Sequence, residues 1–410
     1  VVGAWENSRS AITGSFELDQ RIRRRSLSAG NDLRLVKRND KKLFELTFRN
    51  SFSHRPDRLF VLGEDDAVQN IGATDFRSTT ESRWGKLGRF WKFYVNGGVD
   101  LNYHRMNTSL AGMTDFDNSQ YFNAFLSNLY ATPQLDYQRN GWLLSTKIQA
   151  KWLHHSVGNR HDYINLFPRV YARKKISAKG EVSASFSYML SSPQAYMGID
   201  VPVMSDYRNI FIANDIDKYS QNIAATVSYK YRNPLTSFFA NASLTYNYRV
   251  SSYMSNQLFI DDFIISTYAD RLSGAHFWSV AGGVSKGLGH SRMVVGFDVN
   301  VSTSSASSMR DNIMEDYSQQ TLSVKPYFKG SLCKWLSVNY DANYGFSQLK
   351  IGGTDNRTHS FNQKFYATIM PHDRWQFTLG AEHFLTKFPE GNVENLALLD
   401  ASAVWKAGSK

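Results

Sequence analysis

The sequence predicts an all-β fold, a large antiparallel transmembrane β-barrel of the outer-membrane type. Three observations predict it. The first is alternation in residues 217–250. Ile223, Ala225, Val227, Tyr229 and Tyr231 share one parity, and Asn222, Ala224, Thr226, Ser228 and Lys230 the other. After the turn at 232–236 the pattern resumes, with Ala240, Ala242, Leu244, Tyr246, Tyr248 and Val250 against Asn241, Ser243, Thr245, Asn247 and Arg249. Strand side chains point to opposite faces with period two, so this is a long hairpin with one apolar and one polar face. The second observation is length. Each arm has about the ten residues that a tilted strand needs to cross a bilayer, where soluble strands average about five or six. Tyrosines sit near both ends of the apolar face, where membrane barrels carry aromatic girdles. The third is repetition of the same hairpin along the chain, with short turns alternating with longer connections.

Composition agrees. The 410 residues are 42% hydrophobic and 14% aromatic, with 22 tyrosines and 27 phenylalanines against only 9 prolines. Mean hydropathy is −0.41. No run of about eighteen apolar residues exists, which excludes a transmembrane helix. Barrel strands carry no such run, because every second residue faces the lumen. The net charge of +11 brings no recognised nucleic-acid-binding motif with it, so nucleic acid is not an expected partner. The densest basic run, Arg21-Ile22-Arg23-Arg24-Arg25, reads as a solvated strand end or a contact to lipid phosphate. Cys333 is the single cysteine and can form neither an intrachain disulfide nor a multi-cysteine metal site.

In chain order, residues 8–25 are weakly patterned and give no clear strand boundaries. From Asp32 the grammar is plain. Phe44, Leu46, Phe48 and Phe52 share a face, a polar stretch follows at 53–72, and 77–84 turns at Gly85-Lys86-Leu87-Gly88 into Trp91, Phe93, Val95, Val99, Leu101 and Tyr103. Leu135 and Tyr137 pass through Asn140-Gly141, a favoured hairpin turn, to Trp142, Leu144, Ile148 and Trp152. Val182 to Leu190, Trp278 to Val284, Val295 to Val301, Leu322 to Phe328, Leu336 to Phe346, Phe361 to Ile369, Trp375 to Ala381 and Leu399 to Trp405 repeat the pattern. About 18 strands are visible, of a larger barrel, within the range of outer-membrane proteins. Short turns belong to the periplasmic side, which places 107–129, 191–217, 251–275 and 303–315 outside as long loops. Pro168 and Pro326 fall inside strands, where a missing ladder donor marks a bulge or strand end. Leu244, Tyr340 and Phe377 are expected to face lipid, and Asn247, Asn339 and Gln376 the lumen.

Three groups of residues resemble a known family: Tyr188-Met189-Leu190-Ser191-Ser192-Pro193, then Asp206-Tyr207-Arg208-Asn209-Ile210 before the 219–248 hairpin, and Leu398 to Lys406. They resemble the barrel portion of TonB-dependent receptors, in particular outer-membrane barrel proteins with an N-terminal carboxypeptidase-like regulatory domain. Ala213-Asn214-Asp215 stands where members carry a Gly-Asn-Pro-like turn. The resemblance implies a single barrel domain over 1–410, in the bacterial outer membrane, with the N-terminal plug and final strands on a continuation of the chain. It implies import of a scarce ligand powered through TonB, with outer-membrane lipid, TonB and outer-membrane or surface lipoproteins as partners. The alternative is a non-transporting structural or assembly subunit of an outer-membrane complex.

The polar parity carries Glu45, Arg49, Lys92, Asp100, Lys147, Lys151, Arg249, Asp298, Asp341 and Glu382, which either line a substrate path or pair across a hydrated lumen. His154-His155 and His161-Asp162 flank a short outer connection. Imidazoles gathered by a turn can hold a transition metal, but rim histidines are commoner and no metal is expected. No nucleophile-elbow sequence occurs, and neither enzyme chemistry nor a cofactor is expected. Tyr196, Tyr207 and Arg208 in the 191–217 loop are the ligand-binding candidates, since aromatic side chains and arginine suit capture. Packing of the loop against the barrel mouth uses the same residue types.

Overall fold

The computed structural model describes residues 2–13, 17–62, 66–113, 116, 118–157, 159–191, 200–206, 208–213, 220–260, 263–289, 292–372 and 374–406, with side chains from 19 onward except at 155, 157 and 159–161. The alternating segments form strands β1 (Val2–Thr13), β2 (Glu17–Arg38), β3 (Lys42–Leu62), β4 (Ala67–Leu87), β5 (Trp91–Ala111), β6 (Asn118–Arg139), β7 (Trp142–Val157), β8 (Asn159–Lys175) and β9 (Gly180–Ser191). Two short strands follow, β10 (Val203–Met204) and β11 (Asn209–Phe211), then β12 (Ser220–Asn233), β13 (Phe238–Ser251), β14 (Met254–Ile260), β15 (Phe263–Ala269) and β16 (Ser273–Gly287). The chain continues through β17 (Arg292–Arg310), β18 (Ile313–Cys333), β19 (Leu336–Ile351), β20 (Thr354–His372), β21 (Trp375–Lys387) and β22 (Val393–Trp405).

All but β10, β11, β14 and β15 form one antiparallel meander, in which β9 pairs with β12 and β13 with β16. That leaves 18 strands in the wall, the number read from the sequence. Among the described residues β1 and β22 are not paired with each other, so the sheet has two edges.

The register joins the apolar parity of each strand into one continuous outward band. Leu244 lies opposite Val280, Val280 opposite Val301, Val301 opposite Leu322 and Leu322 opposite Phe346. Leu244 and Phe377 are exposed on this face, and Tyr340 joins it between Phe328 and Phe365. Asn247, Asn339 and Gln376 take the other face, as expected. The band is rimmed by rings. Phe52, Phe76, Tyr103 and Phe125 are direct partners across β3 to β6, while Phe44 opposes Trp84 and Trp91 opposes Tyr137 at the other rim. Phe44 and Phe52 are about 27 Å apart along the strand at roughly 3.4 Å per residue, and tilt shortens that towards a bilayer core. A soluble sheet would cover such a face; this one leaves Trp, Phe and Leu exposed in a belt, and that belt defines a membrane wall.

The strands are taller than the belt, which corrects the expected outer loops. The described residues of 53–72 belong largely to the tops of β3 and β4, and those of 107–129 largely to the tops of β5 and β6. Residues 303–315 form a tight hairpin between β17 and β18, turning at Asp311-Asn312 with φ of 48° and 64°. Polar and apolar side chains are mixed on both parities here, with Leu59, Val61 and Leu110 buried inward and Arg58 beside Phe60 outward, so alternation fades while the ladder continues.

The prolines break pairing on one side only, as the missing N–H requires. At Pro168, β8 still pairs with β7 through Ile148, but its ladder to β9 stops at Arg169. At Pro326, β18 pairs with β17 through Phe297, while its ladder to β19 skips from Val324 to Tyr327. Pro56 and Pro133 leave the same two-residue gap towards β2 and β7.

Inner-face tyrosines lie over glycines of adjacent strands: Tyr94 on Gly85, Tyr130 on Gly98, Tyr327 on Gly296 and Tyr366 on Gly380. A Cβ at Gly98 would stand 2.6 Å from the Thr80 carbonyl oxygen and 2.7 Å from the Tyr130 hydroxyl. The missing side chain lets Tyr130 reach across β5 and donate to Glu81 Oε2 at 2.7 Å.

Two predictions follow from this wall. Leu244→Arg should cost about 2–4 kcal/mol of folding free energy in vesicles, as for arginine near a bilayer midplane, against under about 1 kcal/mol for Ser243→Arg on the lumen face. Urea titration of the vesicle-folded barrel measures both. Gly98→Val should cost about 1–3 kcal/mol by overpacking. Gly97→Ala, whose Cβ would meet only the Tyr130 carbonyl oxygen at 3.5 Å, should be near neutral in the same titration.

Candidate functional site

The long connections after β9 and β13 do not stand free above the barrel. Within them β10 pairs antiparallel with β11, β11 parallel with β15, β15 antiparallel with β14, and β14 parallel with the outer end of β17. The four short strands form a strap across the outer mouth. One end is anchored on the inner face of the tall strands β3 to β6, the other on the β17–β18 hairpin.

The first anchor is apolar with a polar centre. Met204 packs with Leu59, Val61, Ala67 and Leu110, and Val201 and Val203 pack on Phe122 and Ala124. In the middle lies Gln69, buried, whose Oε1 accepts the Met204 N–H at 3.1 Å while its Nε2 donates to Thr108 Oγ1 at 2.6 Å. Asn118 Nδ2 donates to the Pro202 carbonyl at 3.2 Å, and Gln120 Nε2 to Asp200 Oδ1 at 2.5 Å. At the second anchor Asn256 and Asn312 bond through their side chains at 2.8 Å, and Asp311 Oδ1 accepts the Phe259 N–H at 2.8 Å. Asp and Asn tolerate the left-handed backbone of this turn, and here their side chains also hold β14.

Below the strap the inner wall is polar and mostly paired. Arg34 bonds Glu45 at 2.5 Å, Arg49 Asp32 at 3.0 Å, Lys329 Asp341 at 2.9 Å and Lys364 Glu382 at 2.8 Å. Asp75 gathers His104 at 2.5 Å and Arg55 at 3.2 Å near the strap. Deeper, Glu81, Asn96, Asp100, Tyr130, Thr132, Lys147, Gln149, Phe167 and Arg169 line a cavity of about 350 Å³. Asn96 Oδ1 is buried there without a hydrogen-bond partner. At the exposed start of β20, hydrogen bonds from Arg357 and Gln348 hold the Asp355 carboxyl below the usual carboxylate range.

The lumen residues named from the sequence all lie on the inner face, dispersed over it. The structure gathers Asp100 and Lys147 at one cavity and pairs Glu45, Arg49, Asp341 and Glu382 with neighbours. Tyr196 and Tyr207 lie outside the described residues. Arg208 is exposed where β10 turns into β11, and Asp206 Oδ1 accepts the N–H groups of Arg208 and Asn209, both at 3.0 Å. Asp206 therefore builds the turn that presents Arg208. His154 bonds Asp162 at 2.8 Å, and the described residues contain no group of three metal-ligating side chains. Gln69, Thr108 and Met204 were not singled out in the sequence. Their only signal is that Val201, Val203, Met204 and Ile210 are apolar in a segment that reads as an outer loop.

No known protein-family model matches the sequence, and a search of curated proteins finds no match. Solved structures do match. FrpB, an iron transporter of Neisseria meningitidis in its apoprotein form, is 11% identical with a TM-score of 0.48, over 89% of this chain and 67% of that one. HasR, a hemophore receptor of Serratia marcescens in complex with its hemophore HasA and heme, is 10% identical with a TM-score of 0.48, over 94% and 72%. The siderophore receptor PirA of Pseudomonas aeruginosa is 12% identical with a TM-score of 0.46, over 96% and 74%.

Replacing Gln69 by Leu removes the partners of a buried N–H and a buried hydroxyl, which costs about 1–3 kcal/mol each time such a group is left unsatisfied. Amide exchange at Met204 and across β10 and β11 should accelerate at least tenfold in Gln69→Leu, while the β12–β13 ladder keeps its protection. Hydrogen exchange read by mass spectrometry checks both.

Proposed function

We propose that this chain is the wall of an outer-membrane receptor of the TonB-dependent type, which captures a scarce ligand at its outer mouth and admits it to a polar lumen. The observation that carries this reading is the strap. It spans the mouth over a charged inner wall, presents Arg208 outward, and is held at its ends by a small apolar patch and a few hydrogen bonds. Tyr196 and Tyr207 belong with Arg208 to the capturing surface. The finer type, with a regulatory domain ahead of a plug on a continuation of the chain, is supported by the 188–193 and 206–210 sequences. TonB and surface lipoproteins are the partners of this reading.

The second reading, a scaffold that holds partner proteins at its loops, is favoured by the same strap seen as a fixed platform anchored on both walls. Uptake and co-purification separate the two. For a receptor, Arg208→Glu should weaken ligand uptake at least tenfold without changing barrel abundance, and uptake should vanish in cells lacking TonB. A stoichiometric complex with other outer-membrane proteins that is unaffected by loss of TonB would overturn the importer.

A further inference from the structure

Above the Phe52–Phe76–Tyr103–Phe125 row, β2 to β6 continue upward, and their outward parity changes character. Register places the outward positions in successive rows, each about 6.8 Å further along the strand. In the first row, His54 and Arg105 flank Thr74. Arg25 follows on β2, then Arg23 directly opposite Arg58, then Arg21 opposite Phe60. All of these basic side chains are exposed. Arg58 and Arg23 stack on Phe60, at 4.5 and 5.6 Å from the ring centroid, and Arg105 on Tyr121 at 4.9 Å. Among the described outward positions of β2 to β5 above the aromatic row, carboxylates occur only at the far end of β2, at Glu17 and at Asp19, which is bonded to Arg21 at 2.8 Å.

Neighbouring inward positions behave differently, since Arg55 is paired with Asp75. So does β20, far along the sheet, where Arg357 meets Asp355 at 2.7 Å. The arginine stripe lies on the outward face of this sector, and that face is continuous with the lipid-facing belt below it. A ligand seated on it has acyl chains against the belt and anionic charge at several heights above the aromatic row. Phosphate oxygens suit guanidinium donors, and aromatic stacking holds those donors outward at little further entropy cost.

We propose that the outward face of β2 to β5 above this row is a binding site for the phosphorylated headgroup of an outer-leaflet glycolipid. Arg25, Arg23, Arg58 and Arg105 supply the phosphate contacts. The inference rests on the membrane reading of the belt and is independent of whether the barrel transports.

The test uses the protein extracted from membranes in mild detergent, with bound lipid counted by native mass spectrometry. The combined variant Arg23→Gln, Arg25→Gln, Arg58→Gln and Arg105→Gln should lose at least tenfold of its bound bisphosphorylated glucosamine-disaccharide lipid. A Lys350→Gln, Arg357→Gln control on β19 and β20 should retain it. In phosphatidylcholine vesicles the wild-type protein should prefer that lipid at least tenfold over its dephosphorylated form. Equal retention by the two variants would overturn the site, as would displacement by an equal concentration of inorganic phosphate or stronger binding of an RNA polyanion. Heat-modifiable gel mobility reports separately whether each variant is a folded barrel, with single Arg25→Gln and Arg58→Gln substitutions as a milder series. A wild-type chain absent from the membrane fraction would instead fail the membrane reading itself.

Discussion

In a bilayer core no water is present to satisfy backbone N–H and C=O groups, and an unpaired group there costs several kcal/mol. The wall meets this constraint strand by strand. Within the belt each polypeptide segment is laddered to the next, and the places where the ladder opens are the places where a proline has no N–H to give. At Pro326 and Pro133 the opening is a two-residue gap and at Pro168 the ladder to β9 ends, and in each case the strand stays attached through its other neighbour. The belt and its rims follow from the same ladder, because register aligns the apolar parities of successive strands into one surface.

Inside, tall strands create surface that lipid does not cover, and the chain uses it in two ways. On the inner face of β3 to β6 the surface receives the strap, through an apolar patch with Gln69 at its centre. On the outer face of β2 to β5 it carries arginines stacked on aromatic rings. The two faces of one strand extension thus do different work, and they do so because adjacent residues in a strand never share a face. Leu59 and Val61 point to the strap, while Arg58 and Phe60 between and beside them point outward.

The inner wall also shows how a lumen gains order without an apolar core. Tyrosines laid over glycines, and ion pairs between adjacent strands, fix side chains that would otherwise be solvated. Exposed pairs of this kind contribute little energy singly. Their effect is to shape the wall: Tyr130 reaching over Gly98 to Glu81 forms one side of the cavity that also contains Asp100, Lys147 and Arg169.

The sequence by itself determined the fold class, an approximate count of the wall strands and the facing of almost every belt residue. Period-two alternation is a local property that a bilayer enforces on both sides of each strand, so Leu244, Tyr340 and Phe377 could be placed outward from their spacing alone. Above the belt that enforcement ends. Polar and apolar residues mix on both faces there, alternation fades, and 53–72 reads as a polar stretch and 107–129 and 303–315 as loops although their described residues are largely strand. The strap was illegible for a further reason. Its anchors join Gln69 to Met204 and Asn256 to Asn312, pairs far apart in the chain, and no periodicity reports which segments cross a lumen to meet. Residues 191–217 could be read as a loop with capturing side chains; only the tertiary structure decided that its described strands β10 and β11 are tied to the β3–β6 wall and, through β15 and β14, to β17, because that depends on how the curved sheet brings β5 and β17 within reach of the same short strands.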